Sequence, residues 1–394
     1  MVNEKMYGLG SARSAIRELF EFGKRRAAEI GADKVYDFSL GNPSVEPPKE
    51  VNEAIVSILK EFGSKDVHGY SSAQGFLSTR KAVADKLNRE NNTNISPDYI
   101  YMTAGAAAGL CIAVRALNED KDEFIILAPY FPEYKVFIEA QGAKVVEVPC
   151  DASLNIDVKA FAAAITKNTK GVIINSPNNP SGKVYDQKTI KAICDILESK
   201  SKEFGSPIFV ISDEPYRELV YSNTILPSIL SMYDNTIICY SYSKSLSIPG
   251  DRIGYLAVSD RCYGKDKVYA AINGAGRALG YVCAPTLFQL VIERCIDAKT
   301  NIFDYDKNRT LLYENLTNIG YDCLKPDGAF YLFVKSLEKD SIAFCERAKN
   351  SGILIVPSDS FGVKGYARIA YCVDYNTIER SLPAFKELFD SYKK

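Results

Sequence analysis

The sequence has a single histidine, His68, among its 394 residues. A zinc site with several histidine ligands is therefore excluded, and a Ser/His/Asp triad would have to use this one residue. No Gly-x-Ser-x-Gly motif is present to supply the nucleophile of such a triad. A P-loop is absent too, and neither Gly8-Leu-Gly10 nor Gly274-Ala-Gly276 completes a dinucleotide fingerprint. We expect His68 to be structural and no metal to be bound.

Long hydrophobic runs and an excess of one charge are also missing. The longest apolar runs, such as Phe124 to Ala128, are far too short to span a bilayer. A net charge of −1 gives no reason to expect a nucleic-acid or membrane-surface partner. The ten cysteines form no Cys-x-x-Cys pair, and the first residues lack the apolar core of a signal peptide. We therefore expect reduced, mostly buried thiols and a cytoplasmic location.

Apolar strand-like and amphipathic helix-like segments alternate from about residue 95 to residue 260. This alternation predicts an α/β fold with a mainly parallel sheet and helices on both faces. After Pro285 the pattern changes to a long helical stretch, Leu287 to roughly Leu316, and then to strands at Pro326 to Val334 and Tyr366 to Val373. That order suits a smaller α+β domain. No internal repeat or low-complexity segment is present.

The most informative segment runs from Ser241 to Tyr255 and reads SYSKSLSIPGDRIGY. It follows an apolar run, Thr236 to Tyr240, that predicts a short buried strand. Lys244 and Arg252 are eight positions apart, and the Pro249-Gly250 turn between them allows both to reach one small anionic ligand. A lysine just past a buried strand is partly desolvated, which lowers its pKa and favours the nucleophilic amine.

Three other patterns place small or charged residues at predicted strand or helix ends. Gly105-Ala106-Ala107 opens an apolar helix, where exposed N–H groups favour an anion, although close helix packing explains small residues equally well. Asp213 follows an apolar strand, where a carboxylate needs a cationic partner or acts as a helix N-cap. Arg368 lies inside the apolar strand Ala367 to Val373, where a buried arginine needs an anion.

The segment SYSKSLSIPGDRIGY resembles the lysine motif of the fold-type-I pyridoxal-phosphate enzymes, in particular the class I and II aminotransferases. Ser176-Pro-Asn-Asn-Pro-Ser-Gly182 is similar to the Asn-Pro-x-Gly loop of the same family, although turn chemistry alone also accounts for it. The resemblance covers roughly residues 11 to 390. It implies a three-layer large domain with a mainly parallel sheet (residues 46–295) and a smaller α+β domain from both termini (residues 1–45 and 296–394).

The resemblance also assigns roles to individual residues. Lys244 would carry pyridoxal 5′-phosphate as a Schiff base, and Ser241, Ser243 and Arg252 would surround its phosphate. The other implied cofactor contacts are the backbone of Gly105, Ala106 and Ala107 at the phosphate, Phe131 stacked on the ring, Asn179 and Tyr216 at the phenolic oxygen, Asp213 at the pyridine nitrogen, and Tyr70 at the phosphate of the partner in a homodimer. The implied substrate contacts are Gly41, Asn179 and Arg368. A plain turn at Gly41 and a core aromatic at Phe131 are the alternatives.

The implied activity is transfer of an amino group between an L-amino acid and a 2-oxo acid, with ping-pong kinetics. A β-eliminating C–S lyase on the same fold and cofactor is an alternative. A non-catalytic, cofactor-binding regulator is a third possibility, disfavoured because no DNA-binding segment or basic face is attached. The amino donor stays open: Arg277 would suit the side-chain carboxylate of a dicarboxylate substrate, or it is a surface charge.

Overall fold

The computed structural model describes residues 2–11, 15–119, 121–222 and 224–393. Its helices are α1 (Glu4–Ser11), α2 (Ala15–Ile30), α3 (Lys49–Glu61), α4 (Ser64–His68), α5 (Leu77–Asn91), α6 (Ala106–Leu117), α7 (Glu133–Ala140), α8 (Val158–Ala164), α9 (Gln187–Phe204), α10 (Ile229–Met232), α11 (Tyr242–Ser245), α12 (Lys265–Ala278), α13 (Thr286–Arg294), α14 (Ile302–Ile319), α15 (Ser341–Asn350) and α16 (Tyr375–Ser391). Its strands are β1 (Tyr36–Asp37), β2 (Ile100–Thr103), β3 (Glu123–Leu127), β4 (Lys144–Val148), β5 (Thr169–Asn175), β6 (Phe209–Asp213), β7 (Thr236–Ser241), β8 (Gly254–Val258), β9 (Cys323–Leu324), β10 (Tyr331–Lys335), β11 (Ile353–Leu354), β12 (Val356–Pro357) and β13 (Tyr366–Ala370).

Many of the helices begin at polar residues whose side chains cap them. The carboxylates of four aspartates accept hydrogen bonds from first-turn N–H groups and so satisfy donors that have no partner within the helix. These aspartates are Asp157 before α8, Asp186 before α9, Asp340 before α15 and Asp374 before α16. Local sequence therefore sets where these helices start.

A seven-stranded sheet forms the centre of the fold, in the order β2-β8-β7-β6-β5-β3-β4. All neighbouring pairs are parallel except those of β8, which is antiparallel to β2 and β7. Strands β2, β3, β6, β7 and β8 are buried along their whole length because helices cover both faces, which explains their near-continuous apolar sequences. The predicted α/β fold with a mainly parallel sheet is confirmed.

The register of this sheet brings several strand ends to one edge. Asn175 at the end of β5 pairs with Asp213 at the end of β6, and Ser241 at the end of β7 pairs with Gly254 at the start of β8. Gly254 also pairs with Thr103, the last residue of β2. In open α/β sheets, ligands bind outside the carboxyl ends of the parallel strands. This edge is therefore where a site is expected.

Two smaller sheets lie outside the central one. The four-stranded sheet has the order β12-β13-β10-β9, and β1 pairs with β11 in parallel, so a segment near the N-terminus joins the C-terminal part of the chain. Within the four-stranded sheet, Arg368 on β13 lies opposite Phe333 on β10. A separate apolar cluster that includes Phe330, Leu332 and Ile369 packs this region.

The long helical stretch predicted from Leu287 to about Leu316 is wrong, since it consists of α13 and α14 with a break at residues 295–301. Asn301 caps α14 by accepting a hydrogen bond from the N–H of Phe303, a start signal that the apolar spacing conceals. The break also lets the Thr300 N–H donate to the carbonyl of Ser245, 3.2 Å away. In the part of the chain that the structure describes, no helix is long and apolar enough to cross a membrane.

Candidate active site

A cavity of about 320 Å³ lies at the carboxyl edge of the central sheet, against β10 and β13. Twelve of the residues predicted for the site line it: Gly41, Ala106, Ala107, Phe131, Asn179, Asp213, Tyr216, Ser241, Ser243, Lys244, Arg252 and Arg368. They come from loops after β1, β2, β3, β5, β6 and β7, from the turn before β8 and from β13. The fold therefore gathers residues that are more than 300 positions apart into one cavity.

Lys244 lies in α11, the single turn that directly follows β7. Its Nζ donates a hydrogen bond to the carbonyl oxygen of Gly41 at 2.6 Å. The pKa of this amine is lowered to about 8, mainly by burial; Cys372 acts in the opposite direction, and the positive charges of Arg252 and Arg368 make smaller lowering contributions. About a tenth of the amine is thus neutral at pH 7, far more than for an ordinary lysine with a pKa of about 10.4, and the neutral form is what a nucleophile or proton carrier requires.

The residues next to Lys244 form a small pocket for an anion. The hydroxyls of Ser241 and Ser243 lie 2.7 Å apart, and Arg252 Nη1 is 3.5 Å from the Ser243 oxygen. Gly105 caps α6 at φ +81°, and a Cβ there would lie 2.7 Å from Arg252 Nη2. Only glycine leaves this space open, so the N-terminal N–H groups of α6 and the guanidinium of Arg252 can meet one ligand.

Asp213 ends β6 inside the cavity and is 5% exposed. Its Oδ2 accepts a hydrogen bond from the hydroxyl of Tyr134 at 2.5 Å, while its buried Oδ1 has no hydrogen-bond partner among the described residues. Burial raises the pKa of Asp213 to about 7, although the Tyr134 hydrogen bond acts in the opposite direction. A buried oxygen without a partner is costly, so Oδ1 is a site for a proton-bearing cation.

Arg368 is 2% exposed and forms the other charged wall of the cavity. Its Nη2 donates to the Ser39 carbonyl at 2.5 Å and its Nη1 donates to Asn179 Oδ1 at 3.1 Å. Its Nε has no hydrogen-bond partner within the described part of the chain. Asn179 is itself held by Asn175, whose Oδ1 accepts from the Asn179 N–H at 2.8 Å. Arg368 therefore presents an unused donor and an uncompensated charge, which suits a carboxylate.

Tyr216 and Tyr331 connect the two halves of the cavity. Both are buried, and their hydroxyls lie 3.0 Å apart. The Tyr331 ring lies 4.7 Å from the guanidinium of Arg368, and its hydroxyl fills the space where a Cβ on Gly41 would lie. Gly41 is thus required by the close approach of Tyr331, and the plain turn considered for it from the sequence is not present.

Three residues considered from the sequence do not line the cavity of this chain. Tyr70 is 89% exposed in the loop between α4 and α5, and Arg277 is exposed near the end of α12. His68 is the exposed last residue of α4. Gly105 does not line the cavity either, although a Cβ there would lie 2.7 Å from Arg252 Nη2, which does. Any role of Tyr70 or Arg277 at a site of this kind requires a second chain.

Sequence reasoning missed four residues that shape the cavity: Ser39, Tyr134, Asn175 and Tyr331. Asn175 carried a usable signal, because it is a polar residue at the end of a buried apolar strand, as Asp213 is. Tyr331 carried none, since it stands in an apolar run and looks like a core aromatic, and Tyr134, between Glu133 and Lys135, looks like an ordinary helix residue. Ser39 acts through its backbone carbonyl, which its residue type does not reveal.

The cavity fits the cofactor that the sequence resemblance implies. An anion pocket lies at Arg252 and Gly105, a reactive amine at Lys244, and a carboxylate oxygen without a partner at Asp213. Pyridoxal phosphate carries the matching phosphate, aldehyde and protonated ring nitrogen. Among the described residues, no group of three or more His, Cys, Asp or Glu side chains could hold a metal ion.

Comparison with known proteins gives consistent matches along the chain. The sequence model of the family described as "Aminotransferase class I and II" matches residues 33–385. A probable aspartate aminotransferase of Methanocaldococcus jannaschii is 31% identical over 96% of this chain and 97% of its own length. The crystal structure of an aminotransferase from Eubacterium rectale has 57% identity, a TM-score of 0.98 and full coverage of both chains. That of an aspartate aminotransferase from Thermotoga maritima has 26% identity and a TM-score of 0.87, covering 99% of this chain and 100% of that one.

Proposed function

The chain belongs to the class I and II aminotransferases and is a pyridoxal-phosphate-dependent transaminase, and from this premise we propose which residues perform amino transfer between an L-amino acid and a 2-oxo acid. Lys244 is the residue that binds the cofactor covalently and carries the proton. The observation that supports this most is its amine, whose pKa lies near 8 in a cavity shared with Asp213, Arg252 and Arg368.

When bound, the cofactor withdraws electrons from the substrate carbon that bears the amino group. The residues of the chain then divide the remaining tasks. Arg252, the two serines and the first N–H groups of α6 would bind the phosphate. Asp213 Oδ1 would hold the proton on the ring nitrogen, and Tyr216 and Asn179 would act at the phenolic oxygen. Lys244 Nζ, once the substrate amine has replaced it on the cofactor, would take the proton from the substrate carbon as a base and give it, as an acid, to the cofactor carbon that had carried the aldehyde.

Arg368 sets the substrate class by its demand for a carboxylate. Its guanidinium is buried between the rings of Tyr331 and Phe361, at 4.7 and 5.2 Å, so an unpaired charge there is expensive. A substrate α-carboxylate supplies the counter-charge, with Asn179 and the Gly41 backbone beside it. Arg277 is not near this cavity within one chain, so a second substrate carboxylate would have to meet it across a subunit interface.

The activity is tested with the full chain loaded with cofactor and a panel of L-amino donors, aspartate included, with 2-oxoglutarate as acceptor. We expect the oxo acid of the donor and glutamate to form in equal amounts without release of ammonia, with parallel double-reciprocal lines. Release of pyruvate and ammonia from a donor with a sulfur leaving group, faster than amino transfer to any acceptor, would instead identify a β-lyase.

The replacement Gly105→Ala is expected to weaken cofactor binding by about 10- to 100-fold, because its methyl group fills the anion pocket and displaces a charge-assisted hydrogen bond from Arg252. Strain at φ +81° adds about 1–3 kcal/mol of destabilisation. The matched control is Gly264→Ala, at φ +63° with no atom within 4 Å of the added Cβ. Dissociation constants for pyridoxal phosphate and melting temperatures check both variants. Equal affinity of the two variants for pyridoxal phosphate would contradict an anion pocket at Gly105.

The lowered pKa of Lys244 predicts the pH dependence of cofactor uptake. Only the neutral amine reacts with the aldehyde, so the rate of covalent attachment should rise about tenfold per pH unit below the pKa of about 8 and level off above it. An ordinary lysine would level off near pH 10.4. The rate is read from the visible absorbance after the cofactor-free chain is mixed with pyridoxal phosphate at a series of pH values. A rate that still rises steeply above about pH 9 would contradict the burial argument.

We also propose that the chain acts as a homodimer in which Tyr70 reaches the site of the partner. Tyr70 is 89% exposed, and its neighbours Leu77 and Val282 are exposed apolar residues. The segments that carry them are joined by hydrogen bonds, from Thr286 to the Gly69 carbonyl at 2.7 Å and from the Phe76 N–H to Gln289 Oε1 at 2.8 Å. An exposed apolar group of this kind supports a subunit interface.

Mixed dimers test the proposal directly. A Tyr70→Phe chain keeps Lys244 but should bind cofactor about tenfold more weakly, because a hydrogen bond to the phosphate is lost. A Lys244→Ala chain keeps Tyr70 but cannot bind cofactor covalently. If Tyr70 acts on the partner, mixing the two chains should restore wild-type cofactor attachment to the Tyr70→Phe chain, measured by mass after borohydride reduction. If hybrid dimers are shown to form but cofactor attachment to the Tyr70→Phe chain is not restored, the proposal that Tyr70 reaches the site of the partner is contradicted.

A further inference from the structure

A buried tyrosine outside the predicted machinery contacts Asp213. Tyr134 is 2% exposed and lies in the first turn of α7, which follows β3. Its hydroxyl donates to Asp213 Oδ2 at 2.5 Å, so two elements separated by 79 positions meet inside the cavity. Of the two carboxylate oxygens, one is therefore held by Tyr134 and the other, Oδ1, is without a partner among the described residues.

The surroundings of Asp213 give Tyr134 a distinct electrostatic role. The titratable groups that face the carboxylate are Glu214 next in the chain, Tyr216 in the same loop, Cys239 on the paired strand β7, and Tyr134 on α7. Glu214 forms a salt bridge with Arg217. The negative charge of Glu214 disfavours ionisation of Asp213, and so does burial. Asn175 donates only to the Asp213 backbone carbonyl. Tyr134 is thus the described group whose hydrogen bond favours the ionised carboxylate.

We propose that Tyr134 is a positioning residue for the reaction: its hydroxyl favours the ionised form of Asp213 and fixes the carboxylate so that Oδ1 is the oxygen that would hold the proton on the cofactor ring nitrogen. The inference rests on the role assigned to Asp213 in the proposed function. It adds a residue that touches neither substrate nor cofactor and acts through another side chain.

The ring of Tyr134 packs against a different residue from the one its hydroxyl contacts, so the role of the hydroxyl can be tested by itself. It packs edge-to-face on Phe131, with centroids 5.7 Å apart and an interplanar angle of 84°. The change Tyr134→Phe preserves this ring contact and removes only the hydroxyl. Tyr130→Phe is a matched control, because Tyr130 is also 2% exposed and also donates to a carboxylate, that of Glu147, but does not line the cavity.

The experiment measures the affinity of the full chain for pyridoxamine 5′-phosphate by calorimetry from about pH 5.5 to pH 8.5. This ligand has no aldehyde, so its binding does not depend on a bond to Lys244. Below the pKa of Asp213, a proton must leave the carboxyl group when the protonated ring binds, so affinity rises with pH up to that pKa. Loss of the Tyr134 donor favours the protonated acid and moves this rise to higher pH.

We expect the rising limb to move up by about one pH unit in Tyr134→Phe, with about tenfold weaker binding at neutral pH, and to stay in place in Tyr130→Phe. An unchanged pH profile in Tyr134→Phe would overturn the inference, and so would a weakening that is equal at every pH, since that reports packing alone. The variant Asp213→Asn distinguishes a failure of the role assigned to Asp213 from a failure of the role assigned to Tyr134. If it binds as tightly as the wild type at every pH, the assigned role of Asp213 fails; if it binds weakly while Tyr134→Phe behaves as the wild type, only the role of Tyr134 fails.

Discussion

Replacement of Lys244 by alanine is expected to lower the rate of amino transfer by at least about 10⁴-fold, the upper range for a positioned proton carrier. Two functions disappear together, because the same amine binds the cofactor covalently and moves the proton. The remaining cavity should still bind the cofactor, since Arg252, Gly105 and Asp213 are untouched. Single-turnover kinetics with a saturating amino donor separate the chemical loss from weaker binding.

A second, partly buried lysine provides the control for this result. Lys86 also donates to a backbone carbonyl, that of Ile296 at 2.7 Å, but it lies outside the cavity. Lys86→Ala should therefore keep the activity and the borohydride-fixed mass increase of the wild type, and Lys244→Ala should lose both. A mass increase of the same size on another lysine of Lys244→Ala, or turnover at the wild-type rate, would remove Lys244 from the mechanism.

The lysine segment shows what could be predicted from the sequence. Lys244 and Arg252 lie on either side of a Pro-Gly turn after a buried strand, and local spacing alone placed both on one ligand. In the structure both line the same cavity. Asp213 and Arg368 were equally visible, because a charge in an apolar run is conspicuous whatever the fold. Local chemistry was sufficient to single out these four positions, whereas their individual roles came from the family resemblance and stay predictions.

Contacts between distant aromatic residues could not be predicted in this way. The hydroxyls of Tyr216 and Tyr331 meet across 115 positions, and Tyr134 meets Asp213 across 79. Sequence spacing carries no information on such pairs, because they depend on how β10 and α7 pack against the central sheet. The helix break at residues 295–301 was missed for a related reason, since the hydrogen bond from Thr300 to Ser245 is a tertiary contact that apolar periodicity does not record.

At Arg368, the effect of the site on the stability of the fold can be distinguished from its effect on substrate binding. In the part of the chain that the structure describes, no carboxylate lies within ion-pair distance of its guanidinium, so a full charge is buried with only neutral acceptors. Such a charge disfavours the ligand-free fold, and substrate binding removes the penalty. The protein therefore retains an unfavourable group because a carboxylate ligand uses it, as expected for a functional site.

We expect Arg368→Gln to lower kcat/KM for L-amino acids by about 10²- to 10³-fold, mainly through KM, because a buried bidentate partner of the carboxylate is lost. The change removes a buried charge that has no carboxylate partner in the ligand-free chain, so the melting temperature of that chain should not fall. The preference for an amino acid over the corresponding amine without a carboxylate should shrink by the same factor.

Arg309→Gln is the matched control, because Arg309 is also buried but is paired with Asp306 at 2.5 Å and donates to the Pro326 carbonyl at 3.0 Å. Breaking that pair removes a compensated charge, so the melting temperature should fall while KM stays unchanged. The two arginines are thus expected to give opposite patterns, one losing substrate affinity and the other losing stability. If Arg368→Gln lost stability as Arg309→Gln does and kept its KM, Arg368 would be a structural residue and the carboxylate would bind elsewhere.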